Sequence, residues 1–190
     1  MRTLIFKEKA KKVIPTAVSI LKKGGIIIYP TETQYGIGAD ATSRKAVKKV
    51  FLVKQRPSEK KVIWAFSDIK MIKKYVHLEK KQERLIKRLM PGPFTLVIKW
   101  QGFRIPDNKT AIKIIRKLGR PITTTSANIS GEKTPTKIKD VIKLFDGKVD
   151  MIIDAGDLKR NKPSTVFGWD KMKIFRRGPV TKKQIMNALK

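Results

Sequence analysis

The sequence predicts a mixed α/β (α+β) domain, and three observations carry that expectation. Short runs rich in Ile, Val, Phe and Thr recur along the chain; segments with apolar residues three and four apart lie between them; and two late runs follow each other with only a turn between. The alternation predicts strands covered by helices, and the late pair predicts that part of the sheet is antiparallel. With 190 residues the chain is long enough for one domain with a substantial core, and no Pro/Gly/Ser-rich linker divides it, so residues 1–190 are expected to form a single domain.

In order, Ile26 to Tyr29 is an unbroken apolar run and the first expected strand. Ala46, Val47, Val50 and Phe51 share one face of a helix. Val62 to Phe66 is a strand, and Leu85, Ile86, Leu89 and Met90 form the stripe of the next helix. Pro91-Gly92-Pro93 is a rigid turn into the strand Phe94 to Ile98. Asp107 is the expected cap of a helix whose buried stripe is Ala111, Ile114, Ile115 and Leu118. Strands follow at Pro121 to Thr125, Met151 to Asp154, Thr165 to Phe167 and Lys173 to Phe175. Thr181 with Gln184 makes a capping box for a last helix.

The formal charge of +30 is extreme for this length, and 41% hydrophobic residues argue for a folded globule rather than a basic tail. Such a field attracts polyanions; a lysine-rich, heat-adapted composition accounts for it equally well. The absence of cysteine excludes disulfides, thiolate metal sites and cysteine nucleophiles. No apolar run approaches the ~18 residues of a membrane span, and the N-terminal MRTLIFKEKAKK has no signal-peptide core, so the expected location is cytoplasmic, without membrane contact.

Gly36-Ile37-Gly38-Ala39-Asp40-Ala41 fits a loose dinucleotide pattern but lies too far behind its strand, which leaves close backbone packing at a turn. Gly131-Glu132-Lys133-Thr134 lacks the spacing and the GK pair of a phosphate-binding P-loop. His77 is the single histidine, and no two carboxylates stand at a catalytic spacing. Cations, hydroxyls and amides remain. They gather in Thr31-Glu32-Thr33, in Lys54 and Arg56 before Pro57, in TTTSANISGEKTPT from Thr123, in Ser164-Thr165 and in Arg176-Arg177. Together these groups are what a triphosphate site without a P-loop requires, because desolvated Lys and Arg contribute about 1.5–3 kcal/mol per hydrogen bond to an anion.

YPTETQYG, KQRP, PGPFT, FRIP, TTTSANISG, STV and FRRG stand in this order along nearly the whole chain. In that order the motifs resemble the YrdC/Sua5 family of threonylcarbamoyl-AMP synthases. The resemblance implies one YrdC-like domain, a twisted sheet of mixed parallel and antiparallel strands flanked by helices and opening into a basic cleft. It also implies none of the C-terminal extension of two-domain members. The implied reaction joins L-threonine, bicarbonate or CO2 and ATP into threonylcarbamoyl-AMP and pyrophosphate, and a separate transferase complex then modifies adenosine 37 of tRNA. Magnesium arrives on ATP rather than in a protein metal site.

By the same resemblance, Thr33, Arg104, Ser126 and Ser164 surround threonine. Lys54, Arg56, Lys60, Asn128, Thr136 and Arg176 hold ATP, and Lys54 and Arg56 stabilise charge during adenylation. Three features depart from the family: Ala65 stands where a histidine is common, the segment between Thr95 and Arg104 is shorter than in many members, and Met90 replaces the tryptophan before the proline turn. Two alternatives stay open. One is a non-catalytic protein binding double-stranded RNA or tRNA through the cleft, as such basic charge permits; the other is a carbamoyl-adenylate enzyme of hydrogenase maturation.

Overall fold

In a computed structural model that describes residues 2–57 and 61–190, the first predicted strand shows how the core is divided. Ile27 and Tyr29 point into one apolar cluster and Ile26 and Ile28 into another, so the run is apolar throughout because both faces of the strand are covered. The elements are β1 (Leu4–Lys7), α1 (Val13–Lys22), β2 (Ile27–Pro30), β3 (Tyr35–Gly38), α2 (Arg44–Val53), β4 (Ile63–Ala65), α3 (Ile69–Lys73) and α4 (Lys80–Leu89). Then come β5 (Phe94–Ile98), β6 (Gln101–Arg104), α5 (Lys109–Leu118), β7 (Ile122–Ser126), α6 (Ile138–Phe145), β8 (Met151–Asp154), β9 (Thr165–Gly168), β10 (Lys173–Arg176) and α7 (Lys182–Leu189).

The strands form one sheet in the order β1-β8-β2-β3-β7-β4-β6-β5-β9-β10. Pairs β1–β8, β2–β8, β4–β6 and β5–β9 are parallel and the remaining neighbours antiparallel, including the late pair β9–β10. Helices α1, α3, α4, α5 and α7 bury their apolar faces in the cluster on one side, and α2 and α6 cover the other. No helix of the described residues is long and apolar enough to cross a membrane.

Strand β7 matters most for the site. Its C-terminal residues pair with β3, Thr125 opposite Ile37 and Ser126 opposite Gly36, while Ile122, Thr123 and Thr124 pair with β4. The strand part of the hydroxyl-rich motif, Thr123 to Ser126, is therefore shared between β4 and β3.

Several expectations are corrected. Gly36 and Gly38 belong to β3, a strand and not a turn, and the Tyr29 ring lies over both. A Cβ at Gly38 would come within 2.9 Å of that ring, so the glycines make room for a buried tyrosine. The cap of α5 is Asn108 rather than Asp107, with its side chain accepting from the Ala111 N–H at 2.9 Å. Strands β1 and β6 and helices α1, α3 and α6 were not expected from the sequence. In α1, Pro15 lies in the first turn, where the missing N–H costs nothing.

Candidate active site

The loop from Thr31 to Gln34 turns the chain from β2 into β3, and hydroxyls close it. Thr31 Oγ1 donates to the Gln34 carbonyl at 2.6 Å and accepts from the backbone N–H groups of Thr33 and Gln34. Thr31, Thr33 and Gln34 thereby form one side of a cavity of about 230 Å³. The end of β7 supplies Thr124, Thr125 and Ser126 to its floor, and Arg56, Arg104, Ser164 and Arg176 complete the wall.

Arg104 ends β6, opposite Ala65 of β4, and is 5% exposed. Its Nη2 donates to Glu32 Oε1 and, at 3.1 Å, to the Gly92 carbonyl in the Pro91-Gly92-Pro93 turn. Burial lowers the Arg104 pKa to about 10, leaving the guanidinium charged at neutral pH. Among the described residues, Arg104 Nε and Glu32 Oε2 are both buried without a hydrogen-bond partner, as is Arg56 Nε. Arg56 donates from Nη1 to Thr125 Oγ1 at 3.3 Å and from Nη2 to the Lys61 carbonyl at 2.8 Å, and stacks over Phe51. Arg176 holds Ser164 twice, from Nε to its carbonyl at 3.0 Å and from Nη2 to its Oγ at 2.9 Å.

Lys54 lies behind this wall, 2% exposed, at the C-terminus of α2. Its ammonium donates to the Ser126 carbonyl, to the Asn128 carbonyl at 2.8 Å and to Asn128 Oδ1 at 3.2 Å. Asn128 in turn accepts from Ser126 Oγ at 2.6 Å and donates to the carbonyls of Ile129 and Glu132. Burial, and then the neighbouring Arg56 charge, pull the Lys54 pKa down to about 8.

Of the residues singled out in the sequence, Thr33, Arg56, Arg104, Ser126, Ser164 and Arg176 meet around one cavity despite their separation along the chain. Lys54 and Asn128 form the brace beneath its floor. Thr136 is half-buried away from the lining, its carbonyl accepting from the Leu158 N–H. Lys60 lies outside the described residues. Gln34, Lys61, Thr124 and Thr125 also line the cavity, and Glu32 supplies the carboxylate facing Arg104. That ion pair spans 72 residues of sequence and becomes visible only when the loop after β2 meets the end of β6. Among the described residues no group of three or more His, Cys, Asp or Glu side chains is arranged to hold a metal ion.

A family model for Sua5, YciO and YrdC proteins, described as "Telomere recombination", matches residues 19–178. The chain belongs to this family. A Methanocaldococcus jannaschii relative is 37% identical over 182 residues, covering 89% of this chain and 86% of its own. A Bacillus subtilis protein named threonylcarbamoyl-AMP synthase is 34% identical over 190 residues, covering 90% of this chain and 55% of its own. The crystal structure of Pyrococcus abyssi Sua5 complexed with L-threonine superposes with a TM-score of 0.88 at 30% identity, over 99% of this chain and 61% of that one. The mixed sheet flanked by helices is thus the family's fold, and the chain spans little more than half the length of the Bacillus and Pyrococcus proteins.

Proposed function

We propose that this chain is an L-threonylcarbamoyladenylate synthase, which makes threonylcarbamoyl-AMP and pyrophosphate from L-threonine, bicarbonate or CO2 and ATP. The observation that carries the reading is the cavity itself: small, lined by hydroxyls, and walled by the buried Arg104 and the half-buried Arg56, whose Nε atoms have unused hydrogen-bonding capacity among the described residues. A small amino acid needs a cation for its carboxylate and hydroxyl partners for its amine and side chain. The Pyrococcus relative crystallised with L-threonine belongs to the same family.

In this reading Thr33, Arg104, Ser126 and Ser164 hold threonine. Its neutral amine attacks the carbon of CO2, forming the N–C bond of a carbamate as one C–O π bond opens and the nitrogen gives up a proton; with bicarbonate the same N–C bond forms as a C–O bond breaks and water leaves. A carbamate oxygen then attacks the α-phosphorus of ATP, and pyrophosphate leaves. The second step needs alignment and neutralised phosphate charge rather than a protein nucleophile. Arg56, Arg176 and Lys60 are assigned to the phosphates, with Asn128 and Thr136 toward the nucleotide. Lys54 contributes positive potential from beneath the Ser126–Asn128 turn and fixes that turn in place. Magnesium comes with the ATP phosphates. The product passes to a separate transferase acting on adenosine 37 of tRNA, and the basic surface of the cleft offers phosphate contacts for tRNA. A purely electrostatic RNA-binding role leaves the hydroxyl-lined cavity without a duty.

The test supplies ATP, magnesium, L-threonine and labelled bicarbonate to the purified protein. Label is expected in a product containing threonine and adenosine as pyrophosphate appears. ATP binding with no captured label would overturn the assignment of the amine substrate.

A further inference from the structure

Thr95, the last residue of the PGPFT motif, is wholly buried in β5 and does not line the cavity. Its hydroxyl stands 2.9 Å from Ser164 Oγ, its one hydrogen-bond partner among the described residues. A hydroxyl has one proton to give and two lone pairs. A buried proton must find an acceptor, so Thr95 donates to Ser164. Arg176 Nη2, which can only donate, takes the second acceptor position on the same oxygen at 2.9 Å. Ser164 Oγ is then saturated as an acceptor, and its own proton is left for the cavity that it lines.

Across the cavity the count comes out the other way. Ser126 gives its proton to Asn128 Oδ1 at 2.6 Å. Ser126 therefore presents lone pairs. We propose that Thr95 is a positioning residue that, without touching the ligand, makes Ser164 an obligate donor, so that the Ser164–Arg176 wall selects an oxyanion. The inference rests on threonine being the ligand: its carboxylate lies toward Ser164 and Arg104, and its amine toward Ser126.

Calorimetric titration of the whole chain with L-threonine and with L-threoninamide, whose carboxamide replaces the carboxylate, separates this role from a general packing effect. Thr95→Val is expected to weaken threonine binding about three- to tenfold, the effect of one hydrogen bond. Threoninamide should be affected less, so the preference for the acid narrows. Thr95→Ser should restore the preference, and Ser164→Ala should lose it as Thr95→Val does. An unchanged preference in Thr95→Val overturns the role of Thr95, and so does a full preference in Ser164→Ala, the variant that decides if Thr95→Val does not fold. Wild-type protein that takes up no threonine overturns the substrate reading itself.

Discussion

The two sides of the cavity treat buried charge in opposite ways. Under the floor, the three protons of Lys54 meet three oxygens, and Asn128 accepts twice and donates twice. Along the wall, Arg104 meets Glu32 and Gly92 but, among the described residues, keeps a bare Nε, Glu32 keeps a bare Oε2, and Arg56 has a bare Nε as well. A buried polar atom without a partner costs about 1–3 kcal/mol. The saturated side holds its loop in place and lends its charge to the site from beneath, whereas the unsaturated side is complete only when something polar enters. In the proposed reading, unused hydrogen-bonding capacity, rather than charge alone, separates residues that meet a ligand from residues that support them.

The strongest way to break this contrast is to remove the cation from the unsaturated side. Arg104→Met leaves the Glu32 carboxylate without its partner, and breaking a buried pair from one end costs about 3–5 kcal/mol. Urea denaturation should show a loss of this order, with threonine binding abolished. Adding Glu32→Gln removes the stranded charge and should recover most of the stability but none of the binding. Equal unfolding midpoints for Arg104→Met and wild type would mean that the pair contributes nothing to the fold.

Lys54→Met tests the saturated side. Loss of the brace is expected to cost about 2–3 kcal/mol, less than the stranded carboxylate, because the exposed carbonyls lie at a loop that water can reach. Its pH dependence has a definite sign. The folded pKa, about 8, lies below the ordinary 10.5. Below pH 8 the ammonium is charged in both states, and the folded protein bears the full cost of burying it. Between about pH 8 and 10.5 the folded protein releases the proton while the unfolded chain keeps it, so stability rises with pH relative to Lys54→Met. Melting temperatures of both proteins at pH 7, 9 and 10.5 measure the difference; a flat difference would place Lys54 in a less buried setting.

The strands with continuous apolar runs, the α5 stripe and the capping box of α7 were legible in the sequence because each rests on near neighbours in the chain. β3 was not, since alternate positions are glycines that carry no hydrophobic signal, and their reason, the Tyr29 ring, belongs to another strand. β6 hides in Gln101-Gly102-Phe103-Arg104, where one large apolar residue is too few for a period. The polar residues of the site were visible as a set, but their division into wall and brace was not. Lys54 and Arg56 are two residues apart, yet Gln55 between them turns through a positive φ of 50° and sends one beneath the floor and the other into the wall. That direction is set by the turn and by the β7 loop it meets, neither of which a local pattern records.

The smallest expected effect calibrates the others. Thr181 caps α7 in a reciprocal box: its Oγ1 accepts from the Gln184 N–H, and Gln184 Oε1 accepts from the Thr181 N–H at 2.8 Å. The helix packs through Ile185 and Ala188, and Arg84 and Arg88 of α4 donate to carbonyls at its C-terminus. None of its residues lines the cavity. Thr181→Ala should cost about 1 kcal/mol, which for a chain of this size is a fall of roughly 2–4 °C in melting temperature, with threonine affinity unchanged. That result would show that a modest loss of stability does not reach the site, so a binding defect in Lys54→Met reports the brace itself. Weaker threonine binding in Thr181→Ala would instead tie site geometry to global stability and dissolve the distinction between wall and brace.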